Sequence, residues 1–312
     1  MKKKCLILNN RERIPEHVLD DFTSRLDVVW CQDIDRKENL TQVLRQHKDS
    51  HILITTYMDL CRENLSILSG LEAIITTTTA FEYIDFDYCV EKNILVMNSS
   101  DYTGSSVAEH AIALMFGCAR KLTLLDRRIR RKDFQCFDCM GMELSGKCAG
   151  ILGMGHIGSV IAKMTSGIGM ETIFFNRSKK GVRGCRQVDI PSLFNVSDVI
   201  FITLPLRQET EGLIDQKAFA AMKQSAILVS ISPDRIIDFD ALRYALEHQE
   251  IAGVGLDILE ENSKYFELPN AIITPRRAWY TAECFERRIQ MWKETLAAFL
   301  NNQPKNLVDF SS

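Results

Sequence analysis

The sequence predicts an α/β protein built from two doubly wound parallel sheets, one of them carrying a glycine-rich turn. Three observations carry this. Short apolar, β-branched runs alternate with helically spaced segments along nearly the whole chain, as in parallel sheets with helices on both faces. There are eleven such runs, too many for one sheet of this kind. One run leads directly into a G-x-G-x-x-G turn that opens a helix.

In chain order, the first set of predicted strands covers residues 5–8, 28–31, 52–56, 73–77 and 94–97. Segments 15–26 and 59–68 lie between them, with apolar residues at the spacing of one helix face. A long helix is predicted over 105–121. The second strand set follows at 148–152, 171–175, 199–203, 226–231, 251–256 and 271–274, and a final helix is predicted over 281–300. No internal repeat or low-complexity tract is found. Seven prolines and sixteen glycines in 312 residues are too few for extended disorder. The charge run 126–133 reads as a solvated helix face or as an arm joining two copies of the chain.

Composition narrows the function classes. Lys and Arg number 38 against 41 Asp and Glu, a net charge of −3, which lacks the basic excess of a dedicated nucleic-acid binder. The lysine-rich start is followed by only a short apolar run, below the roughly 7–15 residues of a signal peptide. No window approaches the roughly 20 apolar residues of a membrane span. Ten scattered cysteines then read as reduced thiols of a cytoplasmic protein. Neither a nucleic acid nor a membrane is expected as a partner; a small-molecule substrate is.

The chemistry starts at Cys148. After the strand, Gly153, Gly155 and Gly158 supply the three glycines, and Ile157 begins the apolar face of the following helix. Gly153 suits the tight turn, Gly155 the approach of backbone to a pyrophosphate, and Gly158 the close packing of helix on strand. The helix N-terminus adds unpaired N–H groups and a favourable dipole. His156, inside the motif, is better placed for a backbone or phosphate contact than for proton transfer. The next strand ends in Asn176, Arg177, Ser178, Lys179, without the acid that usually takes the ribose hydroxyls of NAD. Two cations and a hydroxyl suit the 2′-phosphate of NADP. NADP is therefore expected ahead of NAD, with NAD bound through Asn176 as the alternative.

With these motifs in place, the sequence resembles the D-isomer-specific 2-hydroxyacid dehydrogenases. Ser106-Val-Ala-Glu-His110 is similar to that family's entry to a long interdomain helix. The stretch from Glu143 through Gly158 is similar to its cofactor fingerprint. Leu204-Pro205 with Thr210, Gly255-Leu-Asp257 and the stretch Thr274 to Glu283 follow in order. The resemblance implies a Rossmann cofactor domain, 101–281, inserted into a discontinuous flavodoxin-like substrate domain, 1–100 with 282–312. It also implies an active site in the cleft between them and a homodimer joined through the cofactor domain. Leu204, Pro205, Thr210, Ile231 and Asp257 are expected at the cofactor on the same ground.

The family's catalytic residues do not carry over. Its Arg, Glu and His positions correspond here to Pro233, Asn262 and Arg276. Proline donates nothing, not even a backbone N–H, and a permanently charged guanidinium is a poor acid. The family's substrate loop, T-G-x-x-x-x-D, reads Thr79-Ala80-Phe81-Glu82-Tyr83-Ile84-Asp85. A Glu82 facing the cleft would repel a carboxylate and favour a cationic or hydroxyl-rich ligand; facing solvent, it would only favour a helix start. Arg276, Tyr280 and Glu82 are the replacement catalytic candidates, and Trp279 either lines the cleft or packs. No metal is expected, since Cys136 and Cys139 have no second ligand pair. An oxidoreductase with an altered site and a substrate other than a simple 2-oxo acid is expected. The alternative is a dinucleotide-binding pseudoenzyme.

Overall fold

Aliphatic runs buried on both faces become the strands of two separate parallel sheets. The computed structural model describes residues 2–8, 16–31, 34, 39–79, 81–258 and 263–308, at 16, 17, 263 and 264 by the backbone alone. The chain forms two units, Met1–Tyr102 with Thr281–Ser312, and Thr103–Tyr280.

The first unit holds β1 (Lys3–Leu8), β2 (Leu26–Cys31), β3 (Ile52–Thr55), β4 (Ala73–Thr76) and β5 (Leu95–Met97), with short helices α1 (Leu40–Gln46), α2 (Arg62–Leu65) and α3 (Phe86–Glu91). All strand pairs are parallel, in the order β2-β1-β3-β4-β5, the flavodoxin-like arrangement. Side chains alternate between two cores. Leu6, Leu53 and Ile74 pack with Leu40 and Leu44. Ile7, Ile54 and Ile75 pack on the other face with Trp292 and Leu296, which belong to the C-terminal helix Ala282–Leu300. Each such fully buried side chain contributes roughly 1.5–3 kcal/mol, so this helix is held by its own apolar stripe.

Two helical expectations are corrected here. Segment 15–26 forms a 3-10 helix only over Glu16–Phe22, because Leu26 already opens β2. Segment 59–68 keeps only α2, because Leu60 is drawn into a parallel bridge with Ile84.

The second unit begins with α4 (Gly104–Ala119) and α5 (Leu122–Arg130). It continues through β6 (Cys148–Leu152), α6 (His156–Gly167), β7 (Glu171–Phe175), β8 (Cys185–Gln187), α7 (Ile190–Val196), β9 (Val199–Ile202) and α8 (Gln216–Ala220). It ends with β10 (Ile227–Ser230), α9 (Phe239–Glu247), β11 (Gly253–Asp257) and β12 (Ala271–Thr274). The sheet order is β12-β11-β10-β9-β6-β7-β8, parallel throughout. Read from β8, this is the Rossmann order with β12 added at the far edge. Ile151, Phe174, Phe201 and Val229 face a core shared with α4 and α6. Leu152, Ile173, Ile202 and Leu228 face the core under α7, α8 and α9.

The described residues contain twelve strands rather than eleven. The unexpected one, β8, is three residues of Cys-Arg-Gln at the sheet edge, with none of them buried, and so carries no apolar signal. The charge run 126–133 begins in α5, which buries no residue, and continues three residues past its end at Arg130. Arg128 leaves the helix to grip both oxygens of Asp138, at 2.6 Å each. The segment beyond it presents Phe134, Phe137 and Met140, which are 76%, 90% and 82% exposed.

Candidate dinucleotide site and its neighbouring turn

In a doubly wound sheet the crevice for a ligand opens where strand order reverses, at the carboxyl ends of the strands. In the second unit that point lies between β6 and β9. Gly153 sits there at φ +99°, backbone that side-chain-bearing residues rarely adopt. A β-carbon on Gly158 would come within 2.3 Å of the Gly153 carbonyl oxygen, whereas one on Gly155 would meet nothing within 4 Å. The loop is therefore packed tight behind and open in front, at the N-terminus of the twelve-residue α6. Three independent features thus fit a dinucleotide: the turn, the open cradle and the donor-rich helix end.

His156 is exposed, and its ring lies against Gly104 of α4, where a β-carbon would come within 2.2 Å of Nε2. Ile157 is half-buried beside the core under α4. Thr203, directly after β9, lies with its hydroxyl 2.5 Å from the Gly153 carbonyl and so braces the glycine turn.

The segment after β7 is a braced turn. Asn176 Nδ2 donates to the Ser178 hydroxyl at 3.1 Å. Gln187 Nε2 donates to the carbonyls of Asn176 and Ser178, at 3.0 and 3.1 Å, while its Oε1 accepts from the Lys180 N–H at 2.9 Å. Lys180 Nζ reaches the Met154 carbonyl at 2.7 Å, tying this turn to the glycine loop. Arg177 pairs with Glu209 at 3.2 Å, both largely exposed, a contact weak enough to be exchanged for a phosphate. Lys179 is exposed. Sequence reasoning missed Gln187 and Lys180: Gln187 lies on the strand without a pattern, and the lysine reads as surface charge.

On the other side of the switch point, Thr210 staples the loop that holds Leu204 and Pro205, its hydroxyl donating to the Pro205 carbonyl at 2.8 Å. Ile231 follows β10, and Pro233 leads into a 3-10 helix, Asp234–Ile236.

Asp257, the last residue of β11, is 2% exposed. Its Oδ1 accepts from the Thr274 hydroxyl at 2.7 Å and the Arg277 N–H at 2.8 Å, and its Oδ2 accepts from the Ala278 N–H at 2.9 Å. The carboxylate, expected at a cofactor, is thus engaged in shaping the turn after β12. On that turn Arg276 takes a left-handed φ of +53°. Tyr280 is exposed, with Arg277 over its ring at 5.6 Å and Trp279 edge-on at 5.2 Å. Two catalytic candidates, Arg276 and Tyr280, therefore share one turn.

The third, Glu82, belongs to the first unit. It is exposed, and its carboxylate accepts the Phe81 N–H at 3.0 Å. Asp85, not Glu82, caps α3, accepting from Tyr88 N–H at 2.8 Å. Burial pushes the neighbouring Tyr83 phenol up to about 12, which keeps it neutral. Asn262 and Ala80 lie outside the described residues. Among the described residues no cluster of three or more His, Cys, Asp or Glu is arranged to hold a metal, and no helix is long and apolar enough to cross a membrane.

Fold and site together define a dinucleotide-binding α/β protein. The chain belongs to the D-isomer-specific 2-hydroxyacid dehydrogenase family, whose NAD-binding-domain model matches residues 112–278. Members of this family are oxidoreductases. The chain is 28% identical over 327 residues to a glyoxylate reductase of Pyrococcus furiosus, covering 99% of this chain and 96% of that one. It is similar to the structure of an acyclic imino acid reductase in complex with NADPH and D-Arg, at 29% identity and a TM-score of 0.88 over 98% of this chain and all of that one. It is also similar to a D-lactate dehydrogenase from Aquifex aeolicus complexed with NAD and lactic acid, at 26% identity and a TM-score of 0.82 over 99% and 100% of the two chains.

Proposed function

We propose that the protein is an NADP-preferring oxidoreductase whose substrate is a carbonyl or imine compound other than a simple 2-oxo acid. The observation that carries the substrate reading is Glu82 on the Phe81 amide. In a loop of the kind whose backbone amides would grip a substrate carboxylate, this amide already holds an internal one. A cationic or hydroxyl-rich substrate suits that carboxylate better than an anion does. The similarity to a reductase solved with NADPH and D-Arg agrees with both halves of the reading.

Cofactor preference rests on the turn after β7. Arg177, Ser178 and Lys179 offer charge-assisted and hydroxyl hydrogen bonds to a 2′-phosphate, and no carboxylate stands at Asn176 to repel it. Gly153, Gly155 and the α6 N-terminus would hold the pyrophosphate. Bound there, the dinucleotide would supply or accept a hydride. The protein groups orient it and stabilise its charge.

The test is a fluorescence titration with NADPH and NADH, followed by a panel of carbonyl and imine substrates with and without a cationic side chain. Tighter binding of NADPH by tenfold or more, and turnover favouring the cationic members, is the expected result. Equal affinity for the two cofactors, or preference for plain 2-oxo acids, overturns it. A second reading, a dinucleotide-binding sensor or scaffold without turnover, is favoured by Pro233 and Arg276 standing in two catalytic positions. Binding of NADPH with no turnover across the panel would select it.

The same reading extends to assembly and setting. The exposed Phe134, Phe137 and Met140 beside the solvent-facing α5 fit an arm through which two cofactor domains form a homodimer. Ten free cysteines fit a reducing, cytoplasmic setting.

A further inference from the structure

The turn after β12 is tied to a histidine that lies outside the family's catalytic positions. His110, in the second turn of α4, has Nε2 2.9 Å from the Thr274 hydroxyl, which in turn lies 2.7 Å from Asp257 Oδ1. The imidazole Nε2 is 4.0 Å from that same oxygen. Thr274 and Asp257 are the last residues of β12 and β11, so the chain stands at the carboxyl edge of the sheet, the edge on which the glycine turn also opens.

Proton placement along this chain is determined by valence. Asp257 accepts from two backbone N–H groups and the hydroxyl, so it is the acceptor. Thr274 has one proton, and a hydroxyl oxygen 2.7 Å from a carboxylate oxygen without a proton between them would be strongly repelled. With that proton given to Asp257, the hydroxyl can only accept from His110, which places a proton on Nε2. Nδ1 is then the atom at which His110 gains or loses a proton. A histidine oriented through one nitrogen, with the other left to exchange a proton, is the arrangement of an acid–base catalyst.

We infer that His110 supplies the proton for the reduction in place of the histidine that Arg276 replaces, with Thr274 and Asp257 as its positioning residues. The inference rests on the oxidoreductase reading above. A bound dinucleotide would supply the hydride to the substrate carbon, and the π pair of the C=O or C=N bond would then rest on oxygen or nitrogen. The proton at Nδ1 of His110 forms the new O–H or N–H bond, and the imidazole is left neutral with its remaining proton on Nε2. Water then returns a proton to Nδ1.

Within the same unit, α4 and the described elements packed against it carry these charged and imidazole groups. Asp257 comes from β11, Glu109 from α4 itself, His156 and Lys163 from α6, and Arg276 and Arg277 from the turn after β12, while β10 and β12 contribute no charged side chain. α5 brings Asp126 and its arginines beyond the far end of α4.

Two measurements test this. In the full chain labelled with 15N-histidine, the neutral form of His110 should show the Nε2–H tautomer, and Thr274→Val should convert it to a mixture. An Nδ1–H tautomer, or no change in the variant, overturns the inference without any activity being measured. In turnover, His110→Gln keeps a donor toward Thr274 but has no exchangeable acid. Its kcat should fall by about 10²–10⁴-fold, with NADPH affinity within twofold of the parent. Unchanged kcat in this variant overturns the inference and leaves the oxidoreductase reading standing. No turnover by the parent chain overturns both.

Discussion

Gly158→Ala and Gly155→Ala separate two roles that one motif combines. On Gly158 the new β-carbon would lie 2.3 Å from the Gly153 carbonyl oxygen and 3.2 Å from Ile151. Backbone and a buried strand residue cannot swing aside, so α6 must retreat from β6 by roughly 0.7 Å to restore a tolerable contact, an overpacking cost of about 1–3 kcal/mol. For a unit of this size, each kcal/mol lowers the melting temperature by about 2–4 °C, and a fall of about 2–12 °C is expected. On Gly155, at φ −81°, alanine fits the backbone and the β-carbon meets no protein atom. Stability should change by less than about 1 kcal/mol, while the methyl group intrudes where the pyrophosphate approaches. Thermal unfolding and NADPH fluorescence titration read the two effects. Gly155→Ala should lose at least tenfold in affinity with its melting temperature almost unchanged, and Gly158→Ala should lose both. Tight NADPH binding by Gly155→Ala, or an unaltered melting temperature for Gly158→Ala, would refute the packing argument.

Other outcomes follow from particular contacts. Arg177→Ala should weaken NADPH about 10–100-fold, the worth of a charge-assisted hydrogen bond or two, with NADH affinity barely changed; equal losses for both cofactors would place Arg177 away from the 2′-phosphate. Gln187→Ala should weaken NADPH by a smaller factor, since it removes the brace of the turn rather than a ligand, and a loss as large as that of Arg177→Ala would contradict that role. Burial raises the pKa of Asp198, but hydrogen bonds from Cys148 N–H and the Lys223 ammonium outweigh it, leaving a net depression. Its contribution is therefore present above the ordinary carboxylate value, about 3.9, and is lost as pH falls through the depressed one. The melting-temperature advantage over Asp198→Asn should be seen at pH 7 and shrink below about pH 4; a pH-independent difference would refute it. Phe137→Asp should shift the protein to monomer in analytical ultracentrifugation if the exposed arm joins two copies, and an unchanged sedimentation coefficient would remove that arm from the interface.

Much of the architecture was legible because apolar runs and glycines carry local physics. The strand runs at 52–56, 73–77 and 148–152 declared themselves, since strands buried on both faces cannot tolerate polar residues. The glycine turn was legible because few residues can follow that backbone. Less legible were elements whose stability comes from neighbours: β8 exists because Phe174 and its flanks offer a free sheet edge to pair with, and α2 is short because Leu60 has a partner in Ile84.

By itself the sequence determined two parallel sheets, a dinucleotide-binding turn and a turn after the second strand that lacks the usual acid, each from a pattern within a few residues. Tertiary structure alone decided what braces them. Gln187 reaches Asn176 across a sheet edge, Lys180 reaches Met154, and His110, Thr274 and Asp257 meet although more than a hundred residues separate the first from the other two. Hydrogen bonds between residues so far apart depend on strand order and register, and no local period records those.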